Sequence, residues 1–461
     1  MFPNRQTLRM RRPVGVAHPF AGSSSSESPI AVVALWLLAL FVFSVPLENS
    51  IVIPGIGTIG RIIGLVAFVA GIVAVVESGK FRTPIVPHLM MVLFVVWVCL
   101  SYFWTIAPEE TTEELISYVQ LIAMVLLIWA EAPKPEQQQR LMRAYILGAG
   151  VLAVATVLTN QSSSVGVRQG AFNMNPNDIG LRIVLSVPMA LYLSVVDKRP
   201  IWPWIYRAEV IAASCGVFYT ASRGGFVALI GAFLMIPLTL REWTAKQKLA
   251  TVVLVVIGAF VAIRMVPQRA WTRLGETQSE ITEGTMDART VIWHAGLEVY
   301  GDHPFLGIGA GAFPVAVQAK TATAWAPHNT FLSVLVELGA VGFGVFAVML
   351  ITLVTAAMRM QNLERSLWLV MLLSWSLGCF VMNWEYYKPT WFLFAMLAAQ
   401  SAAYAVPAQV RQRFVQGVRQ PYRGQPGRVP QRVREFWNAN FEQQSGPRMD
   451  ERGYRPMRGK R

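Results

Sequence analysis

The chain has 461 residues, 54% of them apolar and 14% charged, with a mean hydropathy of +0.44 and a formal net charge of +14. Soluble globular chains carry nearer a quarter charged residues, so this composition excludes an ordinary soluble enzyme. The three cysteines, Cys99, Cys215 and Cys379, all fall inside apolar runs, which excludes a disulfide or zinc framework as the basis of the fold.

In chain order, residues 1–29 come first. They are polar, basic and Ser-rich, with no cleavage site after a short apolar core, and read as a disordered cytoplasmic arm rather than a signal peptide. Runs of about twenty apolar residues then recur as far as residue 406, each long enough to cross a bilayer as a helix. The spacing predicts an all-α polytopic membrane helix bundle of about twelve transmembrane helices. They lie near 30–48, 58–77, 84–104, 113–131, 141–159, 178–197, 204–221, 224–240, 247–266, 329–356, 366–384 and 389–406. Residues 407–461 hold thirteen Lys/Arg and four Asp/Glu, so nine of the fourteen net charges lie there. No folded nucleic-acid-binding motif accompanies them. The tail reads as a disordered cytoplasmic segment against anionic membrane lipid, with no nucleic acid as partner.

Lys and Arg mark every second connection. They stand at Arg5, Arg9, Arg11 and Arg12, at Lys80 and Arg82, at Lys134 and Arg140, at Lys198 and Arg199, at Arg241, Lys246 and Lys248, and at Arg359 and Arg365. The first connection, "LENSIVIPGIG", has no basic residue and the third, "TIAPEETTEE", is acidic. Both termini are therefore expected in the cytoplasm and the odd connections outside.

Positive charge on the outer side works against insertion and asks for another reason. It is sparse: Arg168, Arg223, Arg269, Arg273 and Arg289, with Arg182 just inside the sixth span and Arg61 near the outer end of the second. Arg223 stands between two apolar runs in "FYTASRGGFVALIG". An arginine in hydrocarbon costs roughly 2.5–3.5 kcal/mol on insertion scales, so it calls for a membrane surface or an anionic partner. Gly224 and Gly225 are expected to let the chain reverse there and let another group come close.

The ninth connection, residues 267–327, is the one long loop and is expected outside. Its "MDARTVIWHAGLEVYGDHP" reads as a helix capped by Thr285 or Asp287, with Arg289, Trp293, Leu297 and Tyr300 on one face; "HPFLGIGAGAF" ends it. A helix start carrying an arginine can hold an anion, although pairing of Arg289 with Asp287 or Glu298 fits the spacing equally well. Of the five histidines only His328 falls at the outer boundary, beside Asn329. An interfacial histidine is ordinarily a tolerated polar residue, and is also a candidate base. Glu337, about two and a half turns deeper, reads as a packing carboxylate. Glu109, Glu110, Glu113 and Glu114 read as a solvated helix start.

Three segments, "TASRGGFVALI", "ARTVIWHAGLEVYGDHPFLGIGAGAF" and "HNTFLSVLVELGAVGF", occur in this order on the predicted outer face. Together they resemble the O-antigen ligase and polymerase superfamily of bacterial membrane glycosyltransferases. "NMNPNDIGLRIVLSVPMAL" and "SYFWTIAPEETTEE" fit the same pattern, and the resemblance covers roughly residues 95–400. It implies one transmembrane glycan-ligase domain, residues 30–406, in the bacterial inner membrane with the loop 267–327 in the periplasm. Such proteins move a glycan from undecaprenyl diphosphate to an acceptor hydroxyl, in ligases that of lipid A–core. No metal, nucleotide sugar or other cofactor is implied.

The family's functional residues map onto Arg223, Arg289 and His328. Guanidinium groups bind phosphate oxygens bidentately and stay charged. A neutral histidine is suited to deprotonating a hydroxyl near neutral pH. Direct attack at the anomeric carbon inverts its configuration. Arg182, Asn177, Asp178, Asn329, Glu337 and Trp293 are the candidate substrate-binding or supporting residues, with Glu385 and Lys388 behind them. A repeat-unit polymerase, which can work with a chain-length regulator, shares these motifs. A transporter or flippase of lipid-linked glycans is the rival of a different class, although no matched inverted halves are visible.

Overall fold

The structure, a computed structural model, describes residues 28–48, 50–53, 57–79, 81–162, 170–249, 252–253 and 289–404. The expectations for the terminal arm and tail, for nearly all of the ninth span, for the loop before Arg289, and for Arg168, Arg269, Arg273, Thr285 and Asp287 lie outside the described residues.

The helices are α1 (Pro29–Ser44), α2 (Ile59–Ser78), α3 (Val86–Leu100), α4 (Pro108–Glu131), α5 (Pro135–Ser162), α6 (Pro176–Val184), α7 (Ser186–Val196), α8 (Trp202–Thr220), α9 (Arg223–Phe233), α10 (Met235–Leu240), α11 (Arg289–Asp302), α12 (Phe313–Thr321), α13 (Thr330–Met358), α14 (Asn362–Cys379) and α15 (Lys388–Ser401). Every expected span but the ninth falls on one helix or on two in line. Among the described residues seven helical segments can cross a bilayer by length and composition: Ile59–Ser78, Val86–Phe103, Pro108–Glu131, Pro135–Asn160, Pro176–Val196, Arg223–Leu240 and Thr330–Met358; α1 is a shorter apolar helix. Of the others, α8 carries Arg207 and Glu209, α14 carries Glu364 and Arg365, and α15 has only 14 residues.

The helix starts follow from local chemistry. Proline occupies the first turn of α1, α3, α4, α6, α8 and α15, where its missing N–H costs nothing. The all-α expectation needs one correction. The first connection holds an antiparallel hairpin, β1 (Val52–Ile53) with β2 (Gly57–Thr58), paired Val52 to Thr58 and Ile53 to Gly57. A β-branched run before Pro54-Gly55 in the sequence suits a hairpin.

Burial is graded across the bundle. Residues Pro389–Ser401 of α15 are buried on all sides. In α2 only Gly60, Ala67, Gly71 and Ala74 are buried, while Leu65, Val69, Ile72 and Val76 are exposed. Small residues inward and large apolar ones outward is the pattern of a helix facing lipid.

One long-range arrangement shapes the site. α13 breaks at Gly339, whose φ is 67°. The segment after α11 docks along that break. Ile308 N donates to the Val336 carbonyl (3.3 Å), Gly309 N to the Glu337 carbonyl (2.9 Å) and Ala340 N to the Pro304 carbonyl (2.8 Å). Gly307, Gly309 and Gly311 all have positive φ, and a Cβ on Gly309 would overlap Thr105. Thr111 and Trp104 complete the dock by donating to the carbonyls of Ala310 (2.7 Å) and Leu306 (3.0 Å). A small core of Ile292, Ala295, Val299, Phe313, Val317 and Val336 then fixes α11 and α12 to α13.

Candidate active site

α6, α9 and α13 begin at one end of the bundle, and each start is capped by its own polar side chain. Asn175 accepts from Asn177 N (2.9 Å), Ser222 from Gly225 N (3.1 Å), and Asn329 from Phe331 N and Leu332 N (3.0 and 3.1 Å). The segment 381–384 ties all three together. Trp384 Nε1 donates to Asp178 Oδ1 (2.6 Å), and Trp384 N donates to Thr330 Oγ1 (2.7 Å). Thr330 N and Oγ1 both donate to the Met382 carbonyl (2.9 and 2.8 Å). Gly224 seats against Val381, whose side chain a Cβ there would overlap. Helix N-termini carry partial positive charge, so their convergence favours an anion at this end.

The two glycines after Arg223 play one of the two parts expected of them, close approach, and not the other, chain reversal. The chain reverses at Ala221 (φ 47°), ahead of the Ser222 cap, and both glycines lie within α9. Their role is close approach: Gly224 to Val381, and Gly225 to Gly180 of α6, whose Cα would lie 3.4 Å from an added Cβ.

A cavity of about 510 Å³ opens here, lined by Asn173, Met174, Asn175, Pro176, Asn177, Arg289 and His328. Three of the sequence candidates, Asn177, Arg289 and His328, thus share one wall-to-wall space. Backbone strain concentrates on its rim. Phe172 and Asn173 have φ of 57° and 58°, and His328 has φ of 47°. Left-handed non-glycine residues of this kind cost on the order of 1–3 kcal/mol each and gather at functional sites.

His328 is half-buried, and among the described residues its Nδ1 has no hydrogen-bond partner. Burial, and then the nearby Arg289 charge, hold its pKa below the ordinary histidine value. The imidazole is therefore neutral and able to accept a proton. Trp293 fixes the approach to it by donating from Nε1 to the Pro327 carbonyl (2.9 Å). Asn329 is engaged as the cap of α13.

The remaining candidates stand behind or beside the cavity. Arg223 is half-buried at the first position of α9 and does not line the cavity. Arg182 is fully buried: Nε and Nη2 donate to Asp178 Oδ2 (3.0 and 2.8 Å), Nη1 to the Val45 carbonyl (3.3 Å), and the guanidinium faces the Tyr387 ring at 5.5 Å. With Trp384 on the other Asp178 oxygen, this pair forms a wall behind the cavity lining. Glu337 accepts from Gly311 N (2.9 Å) and Phe313 N (3.3 Å), so it packs the glycine segment against α13. Glu385 is buried beside Trp384, and Lys388 pairs with Glu48. Glu298, one of the partners considered for Arg289, is engaged with His294 and Lys320 at 3.1 Å each. The face of α11 that packs is Ile292, Ala295, Gly296 and Val299, while Leu297 is exposed. Glu109, Glu110 and Glu113 are exposed as expected; Glu114 is drawn inward against Gly311.

Sequence reasoning passed over Asn173, Met174, Asn175 and Pro176 as cavity wall. Their signal was present: Asn before Pro is a helix-start pair, and asparagine tolerates the left-handed region.

Comparison with known proteins agrees with the motifs. Residues 209–347 match the family model described as O-Antigen ligase, a segment that contains Arg223, Arg289 and His328. The "Exopolysaccharide production protein ExoQ" of Rhizobium meliloti (strain 1021) is 23% identical over 287 residues, 58% of this chain and 64% of that protein. The match therefore spans less than two thirds of the relative's length. Both findings bear out the resemblance to the O-antigen ligase and polymerase superfamily.

Proposed function

We propose that the protein is a membrane glycosyltransferase that moves a glycan from a polyprenyl diphosphate to a hydroxyl of an acceptor glycan at the periplasmic face of the inner membrane. The observation that carries this reading is the cavity that joins Arg289 and a neutral His328 to the capped start of α6. The alternation of Lys and Arg along the loops supports the orientation.

On this reading the acceptor oxygen attacks the anomeric carbon, its proton passes to His328, and the bond from that carbon to the diphosphate oxygen breaks. The electron pair leaves with the diphosphate. Arg289 and the start of α6 receive the growing negative charge, and Arg223 at the start of α9 adds its positive charge from beside the cavity. Arg182 and Asp178 hold the wall in place. The glycan acceptor is preferred over lipid A–core because the relative's name refers to exopolysaccharide production.

The test is reconstitution of the full chain with lipid-linked oligosaccharide and acceptor, with a chelator present. Release of polyprenyl diphosphate together with an extended acceptor is expected. Movement of the lipid between leaflets without release would make the protein a flippase instead.

A further inference from the structure

The end of the bundle opposite the cavity holds an arginine that the glycosyl-transfer reading does not use. Arg207 lies five residues into α8, about 7.5 Å along its axis. Its guanidinium carbon is 4.6 Å from the Trp204 ring centroid and 4.5 Å from that of Trp243. The residue is 3% exposed, and among the described residues none of its three side-chain nitrogens has a hydrogen-bond partner.

Other buried arginines are matched. Arg182 has Asp178 and Arg143 lies 3.4 Å from Asp197, while the half-buried Arg82 donates to the Trp129 carbonyl. The nearest acid in sequence to Arg207, Glu209, accepts from Ser186 Oγ (3.0 Å), and Asp197 is taken by Arg143, Arg199 and Tyr206. A buried charge without an anion is strongly unfavourable. Two indole rings offset part of that through cation–π attraction, but they offer the N–H donors no oxygen. The guanidinium edge, where those donors point, is the part that takes two oxygens of an anion.

We propose that Arg207, flanked by Trp204 and Trp243, binds the phosphate of an anionic phospholipid headgroup. Three features select a lipid. Trp204 is 45% exposed and Ile205 is exposed on the outer surface of α8, so one indole ring separates the guanidinium from the surrounding leaflet. Trp202, Trp204 and Trp243 sit where α8 starts and just after α10 ends, the depth at which indoles gather in a bilayer. Lys198, Arg199 and Arg241 mark the same end, which the loop charges assign to the cytoplasmic leaflet, the anionic one. Rotation of Trp204 about its side-chain bonds opens the guanidinium edge to a headgroup.

The test uses the full chain in neutral detergent, followed by thermal unfolding during titration with phosphatidylglycerol, phosphatidylcholine or inorganic phosphate. Phosphatidylglycerol is expected to raise the melting temperature of the wild type and leave that of Arg207→Met unchanged. Without lipid, Arg207→Met is expected to melt above the wild type, because an unpaired charge is gone. An equal response of both proteins to phosphatidylglycerol overturns the site. A response to inorganic phosphate as large as that to phosphatidylglycerol overturns the lipid assignment, as does an equal response to phosphatidylcholine. Should Arg207→Met not fold, Arg207→Lys decides: it keeps charge without the fork and is expected to bind phosphatidylglycerol about tenfold more weakly, and an unchanged affinity overturns the proposal.

Discussion

Two regions at one end of the bundle use the same residue types in opposite ways. Behind the cavity, Asp178, Arg182, Trp384 and Thr330 form a wall in which each donor and acceptor named above meets another, and Arg182 has no exposed surface. On the rim, Arg289 and His328 face open space, His328 sits in a strained left-handed conformation, and its Nδ1 is unpaired among the described residues. The difference teaches how to divide charges in a membrane protein. A charge satisfied by the protein specifies structure. A neutral base held at a cavity, on a backbone that costs energy to maintain, is available to a substrate.

Substitutions should separate the two regions, and the largest effect belongs to the rim. His328→Ala is expected to lower turnover by about 10²–10⁴-fold, the usual worth of a positioned base, with the melting temperature unchanged. Turnover near the wild-type rate would remove the base from His328. The wall should respond the other way. Asp178→Ala leaves Arg182 charged and unpaired in the interior and frees Trp384 Nε1, for a loss of roughly 3–5 kcal/mol of stability, read as a lower melting temperature. Replacing Asp178 and Arg182 together with apolar residues is expected to recover much of it. A stable Asp178→Ala protein with lost turnover would move Asp178 from wall to rim.

The pH profile sharpens the same contrast. Burial and Arg289 lower the His328 pKa, so the base stays neutral below the ordinary value near 6.5, and the acid limb of turnover should lie below that pH. Arg289→Gln removes a repelling charge, so the limb should move to higher pH while the rate on its plateau also falls. A limb that stays put would show that burial alone sets it. Stability carries the corresponding sign. The unfolded chain takes up the proton that the folded site refuses, so this group removes stability as pH falls below about 6.5 and contributes nothing to the pH dependence well above it.

Much of the fold was legible because apolar run length is a one-dimensional signal. The third span, expected near 84–104, is the helical segment Val86–Phe103. The Asp178–Arg182 pair has a signal too, its spacing of four on a helix, although the sequence analysis names both residues as substrate-binding or supporting candidates without pairing them. The docking of the glycine segment on the broken α13 was not legible. It depends on backbone bonds between residues nearly thirty apart, such as Ile308 to Val336, and "GIGAGAF" alone reads as a helix end. Cavity residues 173–176 carry a partial signal: Asn175-Pro176 marks the start of α6, but the left-handed turn that brings them to the cavity begins at Phe172, whose side chain does not announce it.

The smallest expected effect tests the link between the two regions. Trp293 belongs to α11 and reaches the residue before His328 through its hydrogen bond to the Pro327 carbonyl. Trp293→Phe keeps an aromatic ring and removes one neutral hydrogen bond, worth about 1 kcal/mol. If that bond helps hold the left-handed conformation at His328, the loss falls on the placement of the base. Turnover should drop about fivefold, with KM and the acid limb unchanged, since neither the cavity's charge nor its burial is altered. Unchanged turnover would mean that the Asn329 cap and the Thr330 bonds to Met382 hold His328 unaided, and that the strained backbone at the rim is maintained from the wall alone.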